Sequence, residues 1–257
     1  MKNLKTSLVT TAFALATTLA ASISHAAETA PSVVIVHGAF ADGSDWAKVV
    51  PLLQAEGVAV TVVQNPLTSL ADDVAATQRS LNNQPGKVVL VGHSWGGTVI
   101  SEAGANDKVS ALVYVAAFAP DAGQTSGEQG KGAPTPAGIS QIKADHNGFL
   151  YLTPEGMAAD FAQDLPAAQT RVMTATQGPI KASAFDDKTT VAAWKTKPSW
   201  YLLARDDRMI HPDVQRSSAK RIGAQLTELP TSHVPQQSQP AEVAKVILKA
   251  VHSVAAQ

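Results

Sequence analysis

There is no cysteine among the 257 residues. That excludes a thiol nucleophile, thiolate metal sites and disulfide staples, yet leaves the chain compatible with an oxidising compartment. Charge is sparse as well: Asp, Glu, Lys and Arg make up 16% of the chain, and 20 basic residues against 21 acidic ones give a formal net charge of −1. With no basic surplus to neutralise a phosphate backbone or an anionic bilayer, neither nucleic acid nor a membrane surface is an expected partner. The seven histidines never fall in a metal-ligand spacing such as HExxH, so no metal is expected.

The N-terminal 26 residues differ from the rest. There, Lys2 and Lys5 form a basic start, residues 8–23 are apolar but Ala- and Thr-rich, and Ser24-His25-Ala26 supplies small residues for cleavage. Residues 1–26 are therefore read as a signal peptide, too short and too weakly hydrophobic for stable membrane insertion, and export to the periplasm or beyond the cell is expected. Without them, 18 basic and 21 acidic residues remain, a net charge of −3.

Residues 27–257 read as one domain with enough apolar residues for a sizeable core. The run Ser32-Val-Val-Ile-Val-His37 is the continuous β-branched stretch that a parallel strand buried on both faces requires. Further strand-like stretches at 58–64, 87–93, 109–119, 200–204 and 225–229 alternate with helix-like ones at 44–56, 69–82, 94–105, 213–222 and 241–254. That order predicts an α/β fold with a mostly parallel, doubly wound sheet. Between Pro120 and Pro198 the rhythm breaks into a Gly/Pro/Ser/Thr-rich piece and short helix-like pieces carrying Phe149, Tyr151, Met157, Phe161, Met173 and Phe185. A helical lid insertion at about 121–198 is expected, its apolar residues lining a pocket or forming the lid's own small core. Phe149 and Phe161, with Phe40 from an earlier loop, are the candidate pocket residues.

The chemistry centres on Gly92-His93-Ser94-Trp95-Gly96-Gly97, which follows an apolar strand and opens a helix. This is the setting of a nucleophile elbow: the serine occupies a sharp, strained turn, and glycines around it let strand and helix approach. Ser94 is the candidate nucleophile, and the Trp95 N–H, at a helix start, is a candidate oxyanion donor. The loop His37-Gly38-Ala39-Phe40 supplies the second donor, assigned to the Ala39 N–H, while His37 is read as structural. The acid should follow a late strand, and Arg205-Asp206-Asp207 supplies two neighbours. Asp207 is preferred because a turn into a helix follows it; Asp206 stays the alternative, and Asp121 is read as a turn residue after Pro120. His233, between the last strand and the last helix, is the candidate general base, with His211 and His252 better placed for structural or surface roles.

Assembled, these pieces resemble the α/β-hydrolase superfamily, and within it the small esterase branch of plant methylesterases and hydroxynitrile lyases. The stretches HGAFADGSDW, GHSWGG, ARDDRMIHP and SHVPQQSQP carry the resemblance. It implies a serine esterase; the donor pair and the oriented base need no cofactor, and the apolar lid suggests a small, neutral, moderately apolar ester or lactone as substrate. Dehalogenases and epoxide hydrolases of this fold carry an acidic nucleophile where Ser94 stands. The lyases place a Lys after the base where Val234 stands, and methylesterases more often show Met-x-Met there than Val-Pro-Gln. A ligand-binding module, a lyase and a perhydrolase remain the alternatives.

Overall fold

The computed structural model describes residues 31–256, so the expected signal peptide lies outside the described residues. Six strands form the central sheet: β1 (Ser32–Val36), β2 (Val60–Val63), β3 (Val88–His93), β4 (Val109–Val115), β8 (Ser199–Ala204) and β9 (Gln225–Leu229). Their spatial order is β2-β1-β3-β4-β8-β9 and every pairing is parallel. The doubly wound sheet expected from the strand–helix alternation is therefore present.

Alternation along each strand divides the core in two. Val34, Val36, Val88 and Leu90 point into one layer and Val33, Ile35, Val89 and Val91 into the other. The first layer packs beneath α2 (Leu70–Asn82), α3 (Gly96–Ala103) and α6 (Pro212–Arg221), the second beneath α1 (Val50–Ala55) and α8 (Pro240–Ala255). Both faces being covered is why these strands read as unbroken apolar runs. Chain order reverses between β1 and β3, the switch point outside whose carboxyl ends open α/β sheets place their sites. No helix among the described residues is long and apolar enough to cross a membrane.

The insertion carries helical pieces, as expected of a lid, together with a small sheet that was not expected. It contains a three-stranded antiparallel sheet of β5 (Ile142–Ala144), β6 (Phe149–Leu152) and β7 (Ile180–Lys181). A short α4 (Pro154–Gly156) runs into a π-helical turn, Met157–Phe161, and α5 (Ala167–Thr176) follows. The run Phe149-Leu-Tyr-Leu152 is apolar throughout, and four residues are too few for periodicity to separate a strand from a helical turn.

Candidate active site

Ser94 directly follows β3 and sits at φ +51°, a left-handed conformation that non-glycine residues rarely adopt. Close packing enforces it. A Cβ on Gly92 would lie 2.5 Å from Gly96 O, one on Gly96 would overlap Val36 O, and one on Gly97 would overlap Phe118 O. The glycines thus let α3 start hard against β1 and the segment that follows β4, and the turn between strand and helix lifts Ser94 above the sheet edge. The side chain is nearly enclosed, at 8% exposure.

Two other strand ends deliver its partners. His233 follows β9, ahead of α7 (Pro235–Ser238), and its Nε2 lies 2.9 Å from Ser94 Oγ. Its Nδ1 lies 2.7 Å from Asp207 Oδ2, in the loop after β8. A carboxylate at Nδ1 assigns the proton to that nitrogen, so Nε2 presents its lone pair to the serine hydroxyl. Asp207 is held in turn: Oδ1 accepts from Met209 N at 2.7 Å and Ile210 N at 2.9 Å, and Oδ2 also accepts from Gln215 Nε2 at 2.7 Å. Asp206 is exposed and, among the described residues, bonded only through its backbone, its N–H donating to Thr231 O and its carbonyl accepting from Gln163 Nε2. Arg208, a conceivable partner for Asp206, turns to Asp160 and Ala159 O. Asp121 pairs with Lys195, which draws its carboxyl below the usual range, and caps its own turn through Ala122 N.

The backbone N–H groups of Ala39 and Trp95 donate to no protein acceptor among the described residues, whereas the neighbouring Phe40 N–H is committed to Gly178 O at 3.1 Å. Two free donors beside a serine are the elements of an oxyanion hole. A Cβ on Gly38 would meet Ser94 Cβ at 2.8 Å, which sets how closely this loop approaches the elbow.

Two buried histidines beside the site, His37 and His93, are kept neutral. Burial lowers His37, whose ring is occupied on both sides, by Gly38 O at Nδ1 and by Asn65 N at Nε2. Burial and the neighbouring His233 depress His93 well below the usual range; its Nε2–H donates to His233 O at 2.8 Å and its ring lies 4.8 Å from the His233 ring. Asp45 is raised by burial and receives amide bonds from Gln236 and Gln237, tying the loop after Ala39 to the segment after His233.

Of the expected pocket residues, two reach this region. The Phe161 ring stands edge-on to His233 at 5.0 Å and to Phe40 at 6.5 Å, and Phe40 lines a small cavity of about 150 Å³. Phe149 does not: it lies under the Lys181 ammonium, 5.0 Å from its ring centroid, while its neighbour Leu150 lines the larger cavity. Because β6 is a strand, adjacent side chains take opposite faces. That cavity, about 410 Å³, lies between the insertion and the triad loops and is walled by Phe118, Phe185, Ile142, Leu150, Met209 and Val214. Among the described residues, no group of acidic or histidine side chains could hold a metal ion.

A family model described as the alpha/beta hydrolase family matches residues 33–246. The chain belongs to the α/β-hydrolase family. Among its relatives, a pyrethroid hydrolase of Sphingobium wenxiniae is 25% identical over 85% of this chain and 87% of its own. Methylesterase 2 of Arabidopsis thaliana is 28% identical over 80% of this chain and 90% of its own. The α/β hydrolase nvfD of Aspergillus novofumigatus is 30% identical over 86% and 96%. A solved pyrethroid hydrolase from Sphingobium faniae covers 88% of the chain and 99% of its own at TM-score 0.75 and 24% identity, a likeness of fold.

Several residues of this α/β-hydrolase site carry no sequence signal of their own. Gln215 reaches Asp207 from one turn into α6, and Phe118 enters through its bond to Ser94 O. Met209 could have been suspected from its place two residues after the acid.

Proposed function

We propose that this chain hydrolyses carboxylic esters or lactones through an acyl-enzyme on Ser94. The observation that carries the reading is the unbroken line Asp207–His233–Ser94, with bonds of 2.7 and 2.9 Å, beside two uncommitted backbone donors. Ser94 Oγ attacks the ester carbonyl as its proton passes to His233 Nε2, and the Ala39 and Trp95 N–H groups meet the oxyanion. The C–O bond then breaks and the alcohol leaves with the proton from His233. Water, deprotonated by the same nitrogen, attacks the acyl group and releases the acid and Ser94. Asp207 stabilises the imidazolium in both halves.

The cavity of about 410 Å³ supports a small, uncharged, moderately apolar substrate, since its lining is mostly apolar and its ionisable residues are the exposed Lys131 and the half-buried His211, whose Nδ1 accepts from Asp213 N. Relatives named as a hydrolase and as methylesterases support ester cleavage. Val234, buried and apolar, argues against the lyase alternative, and residues 1–26 support export of the enzyme. The test is turnover of a short-chain aryl ester by protein lacking residues 1–26, alongside Ser94→Ala. Hydrolysis that disappears in the variant supports the reading; hydrolysis that persists, or no turnover by the parent protein, sinks it.

A further inference from the structure

Asp73, on the first turn of α2, is fully buried, and no cation of the described residues pairs with it. Its carboxylate has two partners, both N–H donors: Trp95 Nε1 at 2.7 Å on Oδ2 and the Leu67 backbone N at 2.8 Å on Oδ1. Burial pushes the carboxyl up to about 6. An acid kept unpaired in a core is a cost to stability, so its geometry calls for a reason beyond packing.

Both donors lead to the oxyanion hole. Trp95 is the elbow residue whose own N–H is uncommitted, and its indole is gripped between Asp73 and the Phe185 ring, 5.3 Å away. Leu67 is itself strained at φ +59°; its carbonyl accepts from Lys181 N at 2.8 Å, and its side chain packs against Gly178. Gly178 holds the other side of the hole, accepting from Phe40 N at 3.1 Å and donating to Ala41 O at 3.3 Å, which fixes Phe40 at φ +59° directly after Ala39.

We propose that Asp73 is a positioning residue for the oxyanion hole, one buried carboxylate that seats both segments whose N–H groups meet the developing charge. The inference rests on the esterase reading above. It acts through geometry alone: a negative charge near the oxyanion would oppose it, so any benefit comes from where the two donors are held. Displacing such donors by fractions of an ångström costs catalysis without touching substrate binding.

The experiment compares Asp73→Asn, Trp95→Phe and the double variant in steady-state hydrolysis of an aryl ester, with fluorophosphonate labelling of the parent protein run in parallel. An asparagine can accept from one donor but turns its own N–H toward the other, and phenylalanine keeps the ring while removing its N–H. Each single variant should lower kcat about 10-fold with KM within about two-fold, and the double variant should be little worse than Asp73→Asn alone. An unchanged or raised kcat, a loss confined to KM, or fully multiplicative losses in the double variant overturn the proposal. If Asp73→Asn fails to fold, Trp95→Phe decides: a kcat equal to the parent's overturns it. A parent protein that neither labels nor turns over brings down the esterase reading and this inference together, whereas a labelled, active parent with indifferent variants brings down this inference alone.

Discussion

Gln215 Nε2 lies 2.7 Å from Asp207 Oδ2, the same oxygen that faces His233. The amide is saturated: Nε2 also donates to Ile210 O at 2.9 Å and Oε1 accepts from Ala204 N at 3.1 Å. One side chain thus joins the end of β8, the acid loop and α6. Gln215→Leu, close in size, strands the buried Ala204 N–H and strips a donor from the carboxylate. The expected result is a loss of roughly 1–3 kcal/mol in denaturant unfolding and a several-fold lower kcat; full activity at full stability would show that Asp207 needs no such support.

The two neighbouring aspartates should separate sharply. Asp207 is met by four donors inside the protein, and its replacement by asparagine turns an N–H toward some of them and disturbs the His233 tautomer. Asp207→Asn should lower kcat by about 10³-fold or more, and Asp206→Asn, on an exposed side chain, should stay within about two-fold of the parent enzyme. Ester kinetics on the pair reads this directly, and a larger loss at Asp206 reverses the assignment.

These two residues mark how far the sequence could be read. Ser94 was legible because the elbow imposes glycines at fixed offsets, and the strands because burial on both faces forces apolar runs. Asp207 could only be preferred over Asp206, since which of two adjacent carboxylates turns inward depends on Met209 N, Ile210 N and Gln215, the last of them eight positions away. Phe149 was expected in the pocket because aromatic content points to apolar surroundings, but only the strand pairing of β6 decides which face it takes. Asp73 and Gln215 gave no signal, because a buried carboxylate or amide is recognised by partners brought together by the fold, not by spacing.

Asp73 also sets a pH dependence of stability. Burial raises its carboxyl from 3.8 to about 6 in the folded state, so between those values the folded protein holds a proton that the unfolded chain has lost. Its contribution to stability is therefore greatest below pH 4 and declines as pH rises through 6. Asp72 and Asp187, the nearby acids, are present in parent and variant alike, so the comparison isolates Asp73. Urea unfolding of the parent and Asp73→Asn at pH 4, 5, 6 and 7.5 should show the parent losing ground to the variant up to about pH 6–7 and no further change above it. A flat or opposite trend contradicts the assignment of burial as the cause.

The elbow glycines are required by sterics. Gly97→Ala drives a methyl group into Phe118 O and the Ala117 side chain, whereas Gly130, with nothing within 4 Å of a Cβ, has room. Gly97→Ala should cost on the order of 3 kcal/mol and abolish labelling of Ser94, while Gly130→Ala should change stability by less than about 0.5 kcal/mol. Thermal melts of the two variants decide it, and equal melting temperatures would refute the steric account.

Whether Ser94 carries the acyl group can be read by intact-protein mass spectrometry after rapid quenching of the reaction with an activated aryl ester. A mass increase of one acyl group is expected on the parent protein, mapped to the peptide bearing Ser94, absent in Ser94→Ala and persistent in His233→Ala only at a greatly slowed rate of formation. Acylation mapped elsewhere, or ester turnover that survives in Ser94→Ala, would contradict it.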